Sequence, residues 1–130
     1  MVRTKIGRIV ACAIVFSAGV STSVWLTNAT AAGSPGRDLF EKRCAGCHTL
    51  DSTKVGPGLR SVFLRKAGSV PNFPYSDGLK NARFMWDATT LDRWLSDPDA
   101  VVPDNDMSAR LENSDERAAI IGYLKELSGK

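Results

Sequence analysis

Hydrophobic positions in the second half of the chain recur at the spacing of an α-helix. Three large apolar side chains stand at positions i, i+3 and i+4, on one face of a helix that begins near Asp87 or Thr89. They are Leu91, Trp94 and Leu95. Pro98 has no backbone N–H to donate inside a helix, so we expect the helix to end before it. The pattern predicts a short amphipathic helix.

Two further helices are predicted nearer the two ends of the chain. A short one covers residues 36–47, with Leu39 and Phe40 as its apolar positions. A last one starts at Asn113, where Glu116 three residues on suggests a capping box, and ends at Gly129. Its apolar stripe is Ile120, Leu124 and Leu127, with Tyr123 beside it.

Residues 49–81 are predicted to be irregular. Glycines and prolines are spaced there too closely for regular elements: Gly56, Pro57, Gly58, Gly68, Pro71, Pro74 and Gly78. A loop of this length is unusual in a compact domain unless it packs against something large. Since no segment alternates like a strand, we predict an all-α fold of three to five short helices, with long loops wrapped around a bound cofactor.

The N-terminal segment has the order of a secretory signal peptide. A positive front is followed by an uncharged run over residues 9–20 and by small residues at 29–31. The basic residues of the front are Arg3, Lys5 and Arg8. A retained membrane anchor is the alternative, although serines and a threonine dilute the run. We predict a signal peptide over 1–31, with cleavage after Ala31 or Ala32, and one domain over 32–130.

Removal of this leader changes the net charge. The whole chain has 17 basic and 14 acidic residues, a formal net charge of +3. Without the three basic residues of the leader, 14 basic residues balance 14 acidic ones. The apparent basicity therefore gives no argument for a nucleic-acid partner, and no basic stripe interleaved with aromatics suggests one.

The candidate chemistry lies in the run Cys44-Ala45-Gly46-Cys47-His48. A thioredoxin-like pair would need a βαβ pattern, which the chain lacks, and zinc would need four ligands. Covalent haem attachment fits better, because two thiols one helical turn apart can each bond a vinyl group and the adjacent imidazole can bind the iron. His48, the one histidine of the chain, is the expected proximal ligand, and its other ring nitrogen must donate to a neighbour.

With these residues in place, the chain resembles the class I c-type cytochromes, the branch that includes mitochondrial cytochrome c and its soluble bacterial relatives. The resemblance covers residues 36–127. Its motifs follow the family's order: Cys-Ala-Gly-Cys-His at 44–48, Val-Gly-Pro-Gly-Leu at 55–59, Phe-Pro-Tyr-Ser at 73–76, Trp86, Leu-x-x-Trp-Leu-x-x-Pro at 91–98, Pro103 and Met107, with an aliphatic-Tyr-Leu ending at 121–124.

The resemblance implies one haem c, attached through Cys44 and Cys47, and Met107 as the second axial ligand opposite His48. It also implies supporting roles: Pro57 accepts the His48 ring proton, Arg65, Tyr75 and Trp86 bind the haem propionates, Trp94 packs near the methionine sulfur and Asn105 keeps a hydrogen-bond donor beside the haem. Gly36, Phe40 and Tyr123 would form the contact between the first and last helices. Met85, the other methionine outside the leader, is the alternative ligand to Met107, although it is expected in the core.

The chain departs from the family in the segment before Met107. Relatives have Pro-Gly-Thr-Lys-Met, whereas this chain has Pro-Asp-Asn-Asp-Met at 103–107, and Ala109 replaces an aromatic residue. Four aspartates crowd an edge that relatives line with lysines: Asp97, Asp99, Asp104 and Asp106. We therefore expect a redox partner with a basic or mostly apolar patch, since like charges would slow the encounter.

These features predict a periplasmic, monomeric carrier of single electrons, not an enzyme, because an iron with six ligands has no open position for a substrate. Its partners would be a reductase or dehydrogenase as donor and an oxidase or reductase as acceptor. Three alternatives remain. Without a bound Met107, a small peroxidase or gas-binding protein is possible. A retained leader would make a tethered carrier facing the periplasm. The chain could also be a dedicated subunit of one dehydrogenase.

Overall fold

The part of the chain that the structure describes consists of helices joined by long loops. A computed structural model describes residues 33–129, so the predicted signal peptide lies outside the described residues. The helices are α1 (Pro35–Arg43), α2 (Asp77–Asn81), α3 (Ala88–Ser96), α4 (Pro98–Val101) and α5 (Ser114–Ser128). Within the described range, the β-type pairing is one isolated bridge between Lys66 and Met85. The predicted all-α class is confirmed.

Helix α1 is shorter than predicted and releases the chain into a turn. Ser34 caps its start by accepting a hydrogen bond from the Arg37 N–H. At its end, the N–H groups of Cys44 and Ala45 both donate to the Phe40 carbonyl, at 2.8 and 3.1 Å. The second donor lies five residues after the acceptor, one more than the α-helical spacing, so the regular ladder stops here and the helix ends at Arg43 and not at residue 47.

Helix α3 begins at Ala88, between the two predicted starting points, and Asp87 is its N-cap. The Asp87 carboxylate accepts from the Thr90 N–H at 2.7 Å, and the Thr90 hydroxyl accepts from the Asp87 N–H at 2.8 Å. This reciprocal pair is a capping box. The helix ends at Ser96, before Pro98, as expected. Pro98 then occupies the first position of α4, where its missing N–H costs no hydrogen bond.

Helix α5 is also capped as predicted, but not by a capping box. The Asn113 side chain accepts from the N–H groups of Asp115 and Glu116, at 2.8 and 3.1 Å. The Glu116 carboxylate points elsewhere, to the Arg43 guanidinium at 3.0 Å. The prediction of a reciprocal Glu116 contact is therefore wrong, and this carboxylate joins α5 to the end of α1.

Helices α1 and α5 cross closely because one residue at the crossing has no side chain. A Cβ atom added to Gly36 would lie 2.1 Å from the Ala119 carbonyl oxygen and 2.8 Å from the Tyr123 Cβ. One turn further along α1, the rings of Phe40 and Tyr123 pack with their centroids 5.7 Å apart. The predicted contact of Gly36, Phe40 and Tyr123 is confirmed.

The core lies between this crossing and α3. Leu91, Trp94 and Leu95 are buried on the predicted face of α3, and Ile120 and Leu124 are buried on α5. Leu127 is half-buried. Arg117 on α5 ties the helices together, since its Nε lies 2.7 Å from an Asp92 carboxylate oxygen.

The predicted irregular region contains a helix that the sequence reading missed. Helix α2 has five residues, begins after Ser76 and has no buried residue, so it gives no periodic apolar signal. Met85, expected in the core, is instead 47% exposed and lies opposite Lys66 in the isolated bridge. Among residues 33–129, no helix has the length and apolar character required to cross a membrane.

Candidate functional site

The two cysteines outside the leader lie on the turn that follows α1. The Cys47 N–H donates to the Cys44 carbonyl at 3.1 Å, which holds the turn closed. Cys44 is half-buried against the core, and Cys47 is exposed. The described residues also contain no group of three or more His, Cys, Asp or Glu side chains that could hold a free metal ion.

His48 is held in one orientation by the loop that follows it. Its Nδ1 lies 2.9 Å from the Pro57 carbonyl oxygen. A carbonyl oxygen can only accept, so Nδ1 carries the hydrogen and Nε2 keeps a lone pair. Burial lowers the pKa of His48 and outweighs the opposing effect of the Pro57 carbonyl, so the ring is neutral. The contact with Pro57 that the resemblance implied is therefore present, and Nε2 is suited to bind a metal.

Gly56 makes this arrangement possible, although the sequence predicts it only as part of the irregular loop and of the 55–59 motif. A Cβ atom at this position would lie 2.2 Å from His48 Cε1 and 2.6 Å from Nδ1. Any side chain would therefore displace the imidazole ring. The His48 ring therefore requires glycine at position 56, because only a residue without a side chain leaves room for it.

Met107 is held at both its backbone and its side chain. The Trp94 indole Nε1–H donates to the Met107 Sδ at 3.0 Å. The Asn105 side-chain oxygen accepts from the Met107 N–H at 2.8 Å. The methionine is half-buried and packs against the core. These two hydrogen bonds hold the thioether in one position. A methionine that only fills space in a core needs no such hydrogen bond.

Trp86 connects the surroundings of Met107 to those of Arg65. Its ring packs edge-on against Trp94, with centroids 5.2 Å apart, and against Phe84 at 4.9 Å. Its backbone N–H donates to the Arg65 carbonyl at 2.9 Å. Contacts therefore run without a break from Met107 through the two tryptophans to Arg65.

Arg65 is a half-buried cation without an acidic partner in the described part of the chain. One guanidinium nitrogen donates to the Gly58 carbonyl at 3.1 Å, while its Nε is buried without a hydrogen-bond partner. Burial lowers the pKa of Arg65, with nearby Tyr75 acting in the opposite direction. Tyr75 is itself buried, and its hydroxyl accepts from the Val70 N–H at 3.4 Å. An unpaired buried donor of this kind fits an anionic ligand such as the propionates of a haem.

The four aspartates near Met107 are not equivalent. A guanidinium nitrogen of Arg110 lies 2.9 Å from an Asp97 carboxylate oxygen and 2.7 Å from one of Asp99. Asp104 and Asp106 are exposed and take part in none of the salt bridges among residues 33–129. The acidic edge therefore presents fewer unpaired charges than the sequence alone indicates.

Comparison with known proteins identifies relatives over nearly all of the described residues. The family model described as cytochrome c matches residues 34–128. The cytochrome c2 of Rhodomicrobium vannielii is 42% identical over 113 residues, which cover 82% of this chain and 90% of that protein. The cytochrome c of Sesamum indicum is 38% identical over 95 residues, covering 70% and 86%.

The fold agrees with a solved structure from the same group of proteins. Cytochrome cH from Methylobacterium extorquens superposes with a TM-score of 0.67 at 34% sequence identity, over 71% of this chain and 95% of that one. Cys44, Cys47 and His48 supply the cysteine pair and adjacent histidine of such proteins. The chain therefore belongs to the class I c-type cytochromes, electron-transfer haemoproteins that carry one haem c attached through a cysteine pair, here Cys44 and Cys47.

Proposed function

We propose that this cytochrome is a periplasmic carrier of single electrons whose haem iron is bound axially by His48 and Met107, and that it is not an enzyme. The observation that carries the proposal is the hydrogen bond from the Trp94 indole to the Met107 sulfur, at 3.0 Å. This hydrogen bond holds the thioether of Met107 in one position, as a sulfur that binds iron requires. When bound, the haem iron takes up one electron from a reduced donor and gives it to an oxidised acceptor, and no bond of a substrate is broken.

The surroundings of His48 support its role as the first axial ligand. Its Nδ1–H donates to the Pro57 carbonyl, which fixes the ring plane and increases the electron donation of Nε2. A neutral ring needs no proton release before it binds iron, and burial favours that form. These residues orient the ligand and keep it deprotonated at Nε2.

Histidine and methionine together suit electron transfer between respiratory partners. A thioether sulfur stabilises the reduced iron relative to the oxidised form and so raises the reduction potential. With both His48 and Met107 bound, the iron of the haem would have no open position for peroxide, oxygen or an organic substrate. The remaining polar residues, Arg65 and Tyr75, are suited to hold the propionates and to exclude water from them.

An absorption spectrum of the haem-loaded protein tests the ligand assignment. We expect a low-spin ferric spectrum with the weak far-red band of methionine bound to iron, and no binding of carbon monoxide by the ferrous protein. Met107→Ala should lose the band and bind carbon monoxide. Met85→Leu is the matched control. Because Met85 is exposed, this substitution should leave the far-red band and the lack of carbon monoxide binding unchanged.

Other results would support a different class of function. A high-spin ferric spectrum of the unmodified protein, or rapid binding of carbon monoxide, would contradict Met107 ligation and favour peroxide or gas chemistry at an open iron site. Loss of the far-red band in Met85→Leu, with Met107→Ala unchanged, would reassign the ligand to Met85.

The periplasmic location rests on the predicted leader. Export and cleavage after Ala31 or Ala32 should give a water-released protein whose intact mass lacks the first 31 or 32 residues. Mass spectrometry of the haem-loaded protein, combined with cell fractionation, measures both. Recovery of the full-length chain in the membrane fraction would show a tethered carrier instead.

The partner surface is proposed to be basic or mostly apolar. Asp104 and Asp106 are exposed close to Met107, so they would repel an acidic partner and attract a basic one. With a basic redox protein, the electron-transfer rate should fall as salt rises, and the double variant Asp104→Asn/Asp106→Asn should weaken this dependence. A rate that falls with salt for an acidic partner would contradict the proposal.

A further inference from the structure

Asp99 on α4 contacts residues on both sides of Met107. Its Oδ1 accepts from the Asn105 side-chain amide at 2.8 Å, two residues before the methionine. Its Oδ2 accepts from the Arg110 guanidinium at 2.7 Å, three residues after it. One carboxylate therefore binds both ends of the short segment that carries the thioether.

Asn105 links Asp99 to Met107 through its side-chain amide. Its side-chain NH₂ donates to Asp99 and to the Val102 carbonyl, at 2.8 and 2.9 Å, while its side-chain oxygen accepts from the Met107 N–H. A carboxylate can only accept, so Asp99 requires the NH₂ of the amide to face it. The side-chain oxygen must then face Met107, and a rotated amide would lose these contacts.

One residue of this segment has a left-handed backbone conformation. Asp104 has a φ of 58°, in the left-handed region that aspartate enters more readily than most residues with a side chain. Asp99 itself lies on an anchored element, because α4 begins at the buried Pro98 and leads into the buried Val102.

We propose that Asp99 is a positioning residue for Met107. It holds Asn105 and Arg110 together and so keeps the thioether sulfur in place against competing ligands. This inference rests on the proposed function, in which Met107 binds the iron. It also assigns Asp99 a task inside the molecule, where the sequence alone suggested a charge for docking a partner.

The expected effect is moderate because the ion pair is partly hydrated. The side chains of Arg110 and Asp99 are 52% and 61% exposed, and exposed ion pairs contribute little by themselves. The larger part of the effect comes from the ordered amide of Asn105. Asp99→Ala removes both contacts, whereas Asp99→Asn keeps an oxygen that can accept from Asn105.

Competition with imidazole measures how firmly Met107 holds the ferric iron. Asp99→Ala should bind imidazole about three- to tenfold more tightly than the unmodified protein, with Asp99→Asn in between. The far-red band of Asp99→Ala should also disappear at lower imidazole. Asp51→Ala is the matched control, since Asp51 is an exposed aspartate that pairs with Arg60 far along the chain from Met107.

The outcomes separate this inference from the proposed function. Imidazole affinity of Asp99→Ala within about twofold of the unmodified protein would overturn the positioning role, even if the variant unfolds at a lower temperature. An equal increase in affinity in Asp51→Ala would overturn it as well. If the unmodified protein lacks the far-red band, Met107 ligation itself fails, and the role of Asp99 fails with it.

Discussion

The indole of Trp94 and the thioether of Met107 form a hydrogen bond between two residues that are thirteen positions apart, with the Nε1 and Sδ atoms separated by 3.0 Å. Trp94 lies on the buried face of α3, so its position is fixed by the core and not by the loop that carries Met107. The helix thus presents a fixed donor to a sulfur that is proposed to bind iron. A donor at this atom draws electron density away from the sulfur.

We expect Trp94→Phe to lower the reduction potential of the haem-loaded protein. Without the indole N–H, the sulfur donates more strongly to ferric iron, so the oxidised state gains stability. The loss of a weak neutral hydrogen bond corresponds to a decrease of about 20–40 mV for a one-electron couple. Spectroelectrochemical titration measures the change.

A variant that keeps a donor separates this effect from loss of packing. Trp94→Tyr retains a hydroxyl that can reach the sulfur, so it should restore most of the potential although it leaves a smaller ring in the core. An unchanged or higher potential in Trp94→Phe would show that the N–H does not influence the iron ligand.

The sequence allowed the helices and the cofactor chemistry to be predicted because both follow local rules. The face of α3, the cap at Asn113 and the Cys44–His48 run are readable from spacing alone. Helix α2 gives no periodic signal because it buries nothing. The prediction for α1 is too long because the change in hydrogen-bond spacing at the Phe40 carbonyl leaves no mark in composition.

Contacts between distant side chains could not be derived in this way. Asp99 and Arg110 are eleven positions apart across irregular backbone, so no periodicity pairs them, and the sequence alone predicts a surface charge at Asp99. Met85 was expected in the core because methionine is apolar, yet the bridge to Lys66 leaves it exposed. Both cases depend on three-dimensional placement and not on residue type.

Two glycines on the crossing helices provide a test of how closely α1 and α5 pack. A Cβ at Gly36 would lie 2.1 Å from the Ala119 carbonyl oxygen, so Gly36→Ala must push the helices apart. We expect it to lower the free energy of unfolding by about 2–3 kcal/mol. Urea denaturation of the haem-loaded protein measures this value.

The matched control is Gly122→Ala on α5. A Cβ at Gly122 meets no atom within 4 Å, and alanine favours the helix, so this variant should gain about 0.5–1 kcal/mol. If both substitutions changed stability in the same direction, the close approach at Gly36 would not be the controlling factor.

The cap of α3 predicts a dependence of stability on pH. The Thr90 backbone N–H and hydroxyl hold the pKa of Asp87 below its ordinary value of 3.8. A lowered pKa means that the stabilisation is complete above the ordinary value and is lost as the pH falls through the lower value in the folded protein. Asp87→Asn keeps a capping oxygen without titrating, so its stability relative to the unmodified protein should rise below about pH 4.

Urea midpoints at pH 7 and pH 3 for the unmodified protein, Asp87→Asn and Asp87→Ala give the measurement. The two variants cannot titrate at this position, so the difference between them should be the same at both pH values. A difference between the unmodified protein and Asp87→Asn that is independent of pH would contradict the role of the Asp87 charge.

Leu64 has a backbone conformation that glycine would adopt more easily. Its φ is 62°, its N–H donates to the Trp86 carbonyl at 2.8 Å, and its side chain is 62% exposed. The left-handed conformation costs more for leucine than the exposed side chain returns in packing. Glycine relieves the cost of the left-handed conformation but makes the unfolded chain more flexible, which opposes folding. The net effect of Leu64→Gly should be an increase of about 0.5–1 kcal/mol in the free energy of unfolding.

Val55 provides the comparison that isolates backbone strain, because it is 73% exposed and is not among the residues with positive φ. Val55→Gly adds flexibility to the unfolded chain without relieving strain, so it should lower the stability that Leu64→Gly raises. Thermal unfolding of the two variants, each loaded with haem, measures both signs in one experiment. A lower melting temperature for Leu64→Gly would mean that the Leu64 side chain contributes packing that outweighs the strain of its backbone.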